Sequence, residues 1–120
     1  MGLDQYFYRT GQQYPDKELA YFRKVNFLNR AVESLIGREV ENCERVTLTR
    51  EQMEEICKRI TKVLKNPERA ESLLPTQERF FFGSMRYDEM YFNDLKHVRR
   101  EFAQILDGNA DATFDYAPDW

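Results

Sequence analysis

Histidine is almost absent from this 120-residue chain. His97 stands alone, beside two cysteines and five scattered glycines. A Ser-His-Asp or Cys-His centre needs an imidazole oriented in a pocket. His97 falls off the apolar stripe of its helix, between Asp94 and Glu101, and reads as a helix-surface residue, so no catalytic residue is assigned. Cys43 and Cys57 cannot complete a four-ligand zinc site with one histidine unless carboxylates fill in, and neither a metal nor a cofactor is expected. Cys57 lies on an apolar helix face as a small hydrophobe, and a Cys43–Cys57 disulfide does not suit a cytosolic chain. The glycines are too dispersed for a dinucleotide fingerprint or a phosphate-cradling loop. No apolar run exceeds four residues, which excludes a membrane span and a secretory signal. The opening residues lack the Ser or Thr of a myristoylation signal. A cytoplasmic domain is the expectation.

A charge excess is missing too. Residues 1–48 hold seven basic and seven acidic side chains, and residues 49–107 hold eleven of each. The net charge of −3 therefore comes from Asp111, Asp115 and Asp119 near the C-terminus. A neutral body argues against general nucleic-acid binding, which relies on phosphate neutralisation by surplus Lys and Arg.

What is present supports a core. Apolar residues make up 42% of the chain, enough for one domain of this length. Leu3–Arg9 reads as a strand. From Asp16 onward Tyr21, Val25, Leu28, Val32 and Leu35 step at helical spacing, and Gly37 closes that helix. Arg45–Leu48 is β-prone. Thr49 with Gln52 forms a capping box ahead of a second helix bearing Met53, Ile56, Cys57, Ile60, Val63 and Leu64 on one face. Pro67 breaks it near Asn66, and 68–74 is a short helical piece. Phe80–Phe82 reads as a strand, the Tyr91–Ile105 pattern as a third long helix ended by Gly108, and Thr113–Tyr116 as a further strand. The order β-α-β-α-β-α-β predicts a single two-layer α+β domain over 1–108, with three to four strands and three main helices. Residues 109–120 follow as an acidic, aromatic segment suited to an edge strand, its aspartates discouraging edge-to-edge aggregation.

No aromatic residue falls between Leu28 and Arg79, so the two aromatic ends of the chain are expected to pack on each other. Seven tyrosine hydroxyls need water, a partner or a ligand. Phe82-Gly83-Ser84 leads towards a helix whose free amides suit an anion, with Arg79 and Arg86 nearby. Asp88 and Glu89 in the first turn oppose that reading. Lys58, Lys62, Lys65 and Arg69 form a basic stripe on the second helix, a solvated face partly neutralised by Glu54 and Glu55 at i−4 spacings.

Several blocks carry a family resemblance: Met1–Tyr6, Arg23–Asn26, Glu41–Glu44, Leu73–Gln77, Phe80–Ser84 and Tyr87–Tyr91. Together they resemble small uncharacterised phage and prophage proteins with an MGLDxY start and an LLPTQ…FFFGS…YDExY block, over residues 1–95. The resemblance implies a phage-type accessory protein. That pattern commonly carries a histidine three residues beyond the asparagine of its Arg-Lys-x-Asn element; Asn29 stands there in this chain. An amide cannot serve as a general base near neutral pH, which moves the weight from catalysis to binding.

Four functions compete. The preferred expectation is a non-enzymatic protein-interaction module that forms a homo-oligomer. The alternative is a binding protein for a small nucleotide-like anion, with a site near Pro75–Gln77 and Gly83–Tyr87. An enzyme using Asp4 or Asp88 needs a carboxylate in a concave site, and RNA binding needs the basic stripe. The candidate ligand-binding residues are Asp4, Arg23, Asn26, Asn29, Thr76, Gln77, Gly83, Ser84, Tyr87 and Asp88.

Overall fold

A computed structural model of the chain describes residues 2–11, 18–79 and 82–120. It is an α+β domain in which one four-stranded antiparallel sheet is covered on one face by helices. The elements run β1 (Asp4–Arg9), β2 (Ala20–Arg23), α1 (Asn26–Ile36), β3 (Val46–Leu48), α2 (Arg50–Lys65), a 3-10 turn (Pro67–Arg69), α3 (Ala70–Leu73), α4 (Glu89–Gly108) and β4 (Phe114–Asp119). Strand order is β2-β1-β4-β3.

Strand alternation divides the sheet into two faces. Gln5, Phe7, Phe22, Leu48, Phe114 and Tyr116 point into the core, and all are buried. The helices seal that face with Met53, Ile56, Ile60 and Val63 from α2 and Leu95, Val98 and Phe102 from α4, none of which is exposed. The aromatic ends of the chain do pack together: Phe7 lies 5.0 Å from Phe102 and 5.1 Å from Tyr116, centroid to centroid. Thr49 caps α2 as its sequence predicts, accepting from the Gln52 N–H while the Gln52 side chain accepts from the Thr49 N–H.

Three elements differ from the sequence pattern. The helix expected from Asp16 starts instead at Asn26, and Ala20–Arg23 is the edge strand β2, with Gln5 opposite Phe22. Its alternation of buried Ala20 and Phe22 with exposed Tyr21 and Arg23 is the mark of a half-covered strand. In the expected strand at 80–82, residues 80 and 81 lie outside the described residues, and Phe82 is a buried anchor in a non-strand segment, its ring 5.0 Å from Trp120. The C-terminal segment is not an edge: β4 lies between β1 and β3. Asp115, which resembles an edge-protecting charge, is buried on the outer face and saturated by the Thr10 and Thr47 hydroxyls (2.9 and 2.8 Å) and Arg45 Nε (2.8 Å). Those partners come from beyond the adjacent residues, so an acid can sit in an interior strand.

Candidate functional site

A cleft of about 290 Å³ opens where the end of β2 turns into α1, against the irregular stretches 76–79 and 82–88 and the first turns of α4. Among the described residues, the segment between α3 and α4 is neither helix nor strand, so side chains must satisfy its backbone. Asn26, buried at the start of α1, does most of this. Its Nδ2 donates to the carbonyls of Phe82 (3.2 Å) and Ser84 (2.8 Å), and its Oδ1 accepts from the Gln77 N–H (3.1 Å). Buried Thr76 donates to the Met85 carbonyl (3.0 Å), its own N–H reaches the Tyr87 hydroxyl (3.1 Å), and Arg30 donates to its carbonyl (2.7 Å).

Behind this wall runs a buried polar chain. Gln5 reads both backbone groups of Val25: its Nε2 donates to the carbonyl (3.0 Å) and its Oε1 accepts from the N–H (2.9 Å). The same Nε2 donates to the Tyr116 hydroxyl (2.9 Å), which donates to Asn29 Oδ1 (2.7 Å). Asn29 donates to Gln77 (2.9 Å), and Gln77 to Glu33 (2.6 Å), which also accepts from the Val40 N–H (2.7 Å) and meets Arg79 (3.3 Å). Burial pushes the Tyr116 hydroxyl far above its ordinary pKa, keeping it a neutral donor. No buried side-chain nitrogen or oxygen among the described residues lacks a partner.

Of the ten sequence-predicted site residues, Arg23, Asn26, Thr76, Gly83, Ser84 and Asp88 line the cleft. Tyr87 stands at its rim through the bond to Thr76. Asn29 and Gln77 lie behind the wall in the polar chain. Asp4 is on the sheet's outer face, bound to Tyr21 Oη (2.5 Å) and Arg23 (3.2 Å), so it reaches the site only by holding Arg23. The motif amides and hydroxyls are largely spent on one another. They build the wall, and the groups left for a ligand are charged neighbours.

Two of those charged groups have no ion-pair or hydrogen-bond partner for their side chains among the described residues: Lys24 and Arg86. Lys24 is held in a left-handed conformation, φ +57°, rare for a residue with a Cβ. Its stem passes between two glycines that also have positive φ, Gly2 and Gly83. A Cβ on Gly2 would stand 3.0 Å from Lys24 Cε, and one on Gly83 would stand 3.2 Å from Lys24 Cβ. Positive φ at both positions favours glycine, an added Cβ would crowd the Lys24 stem, and local strain of this kind is characteristic of functional sites.

The third group is Asp94, on the cleft side of α4 with Met90 and Tyr91 one turn before it. Asp94 is half-buried and makes no hydrogen bond or ion pair among the described residues. Burial raises its pKa above the ordinary value of 3.8, with nearby His97 opposing the rise. A carboxyl whose folded pKa is raised destabilises the fold while ionised, and the penalty disappears as pH falls below the unfolded value. Asp94→Asn is therefore expected to raise the melting temperature of the ligand-free protein at pH 7, with the gain shrinking to nothing below about pH 4. A thermal melt at both pH values checks this, and equal gains at both would contradict it.

Both cysteines are free, and burial pushes the Cys57 thiol up to about 11. His97 packs its ring on Phe22 (5.2 Å) and lies 3.4 Å from Glu101. The described residues contain no cluster of three or more potential metal ligands, and no helix is long and apolar enough to cross a membrane. Beside the basic stripe, Arg59 pairs with Glu55 (3.0 Å), while Glu54 pairs back to Arg50 (3.7 Å) and leaves Lys58 outside the pairing.

Comparison with known proteins adds no name to this geometry: no family model, curated protein or solved structure matches the sequence.

Proposed function

We propose that this protein binds a small, nucleotide-like organic anion in the cleft, acting as a binding module of the phage-type accessory class that its sequence blocks resemble, and working in the cytoplasm. The observation that carries the reading is Lys24. Its ammonium has no partner among the described residues, and its left-handed backbone and the packing of its stem against Gly83 direct the side chain to the cleft that Arg86 also lines. A cation at the edge of a half-open concavity is placed to meet an anion that the concavity admits. Ser84 adds a hydroxyl to the lining, while the N-terminus of α4 is already occupied by the Asp88 carboxylate, which accepts from the Tyr91 N–H (3.2 Å).

Ribose 5-phosphate is a direct probe. Once it exceeds its dissociation constant about a hundredfold, it should stabilise the fold by about 2.7 kcal/mol and raise the melting temperature by roughly 10 °C. No shift at any concentration, with no displacement by other phosphates, would remove the reading.

A second reading is supported by a different observation. Met85, Tyr87 and Met90 are large side chains left exposed at the mouth of the cleft, Met90 by 71%, and Tyr21 is exposed at the edge of the sheet's outer face beside Tyr6. Adaptable methionines and tyrosines favour protein contact, so a protein partner or a homo-oligomer is the competing use of this surface. Sedimentation equilibrium separates the two: a dimer whose dissociation is unaffected by ribose 5-phosphate favours the second reading.

A further inference from the structure

The cleft is two-signed, and that restricts what can fill it. Lys24 and Arg86 want an anion, whereas Asp94 wants hydrogen-bond donors, since an ionised carboxylate can only accept. A bare anion such as phosphate or a dicarboxylate would satisfy the first pair and face the second group with like charge. The ligand must bring both characters.

Their spacing narrows the choice. Gly83 packs on the Lys24 stem, and Arg86 lies three residues beyond Gly83 and two before the helix cap Asp88, which puts Arg86 towards the start of α4. Asp94 stands six residues along from the helix cap Asp88, about 9 Å of helical rise. An α-amino acid carries its carboxylate and ammonium on one carbon and cannot span that interval. A phosphate joined through a ribose to a base can. Met90, backed by the buried rings of Phe27 and Tyr91, offers apolar surface to the flat face of a base, and a methionine sulfur contacts aromatic rings favourably. The volume of about 290 Å³ is at the small end for ligand sites, which admits a mononucleotide and excludes larger cofactors.

Resting on the anion-site reading above, we propose that the cleft takes a guanine mononucleotide, its phosphate at Lys24 and Arg86 and its base edge on Asp94. Guanine presents two adjacent donors, N1–H and the N2 amino group, in the parallel arrangement that matches the two oxygens of a carboxylate. The Watson–Crick edges of adenine and cytosine set a ring-nitrogen acceptor beside their amino group, which a carboxylate repels. Asp94 is thus a specificity-determining residue, and its lack of an internal partner is the state of an acceptor kept for a ligand.

Calorimetric titration of the full chain with guanosine monophosphate, inosine monophosphate and ribose 5-phosphate tests this. Inosine monophosphate differs from the guanine nucleotide at the base only by lacking the N2 amino group. The guanine nucleotide should bind roughly tenfold or more tighter than inosine monophosphate, the value of one hydrogen bond to a charged group. In Asp94→Asn that discrimination should vanish, while ribose 5-phosphate binds as well as before or better. Equal affinity of the wild type for the two nucleotides, or discrimination that survives in Asp94→Asn, overturns the base assignment and leaves the anion site standing. Failure of all three probes overturns both.

Discussion

Gln5→Met is expected to lower the unfolding free energy by about 4 kcal/mol, the largest loss from any near-isosteric change around the site. The substitution keeps volume and apolar packing. It removes a fully buried amide that pairs both backbone groups of Val25 and donates to Tyr116. Each buried group left unpaired costs about 1–3 kcal/mol; among the described residues the Val25 N–H has no other partner, and its carbonyl keeps only the bond from the Leu28 N–H (3.1 Å). Against a typical stability of about 5–15 kcal/mol, such a loss is severe. Because Val25 also lines the cleft, ligand binding should weaken along with the fold. Urea denaturation measures the first effect; a loss below about 1 kcal/mol would mean that water or a rearranged turn replaces the amide.

Lys24→Met should do the opposite: leave stability within about 0.5 kcal/mol, as for other surface changes, and reduce affinity for ribose 5-phosphate by about 10- to 100-fold. Methionine preserves the unbranched stem that lies between Gly2 and Gly83 and removes only the ammonium. Lys24→Gly sharpens the contrast. Glycine tolerates φ +57° without the penalty of about 1–2 kcal/mol that a Cβ incurs there, so this variant should bind as poorly as Lys24→Met without being less stable from backbone strain. Fluorescence or calorimetric titration beside a melt reads both quantities. Affinity retained in both variants would show that the clasped lysine is not the anion contact.

Much of the fold was legible because its signals are local. The Thr49–Gln52 capping box and the apolar stripe of α2 lie within a few turns of each other, and α4 shows the same periodicity from Tyr91 to Ile105. β2 was not legible. Four residues are too few for alternation to outweigh the helical spacing of Val25, Leu28 and Val32 that follows, and the strand is defined by pairing with β1. The interior position of β4 depends on Asp115 meeting Thr10, Thr47 and Arg45 from other parts of the chain, a long-range fact with no local trace.

The site was legible in its location and misread in its roles. Asn26, Thr76, Gln77 and Ser84 drew notice as polar residues beside turns, and they converge, but Asn26, Thr76 and Gln77 hold the stretches 76–79 and 82–88 in place. Lys24 carried no signal, since nothing in a sequence marks a left-handed lysine; the only trace was Gly2 and Gly83, whose use is visible once the stem lies between them. Asp94 looked like an ordinary polar position flanking the stripe of α4. Its half-burial comes from the cleft walls, which belong to other elements.

The most direct test of the account is a 15N–1H correlation spectrum of the full chain titrated with guanosine monophosphate. The account predicts shifts concentrated at Lys24–Phe27, Ser84–Asp88 and Tyr91–Asp94, saturating at one equivalent, and absent in Lys24→Met at the same ligand concentration. Shifts confined to Tyr6, Tyr8 and Tyr21 on the outer face of the sheet, or an unchanged spectrum, would contradict it.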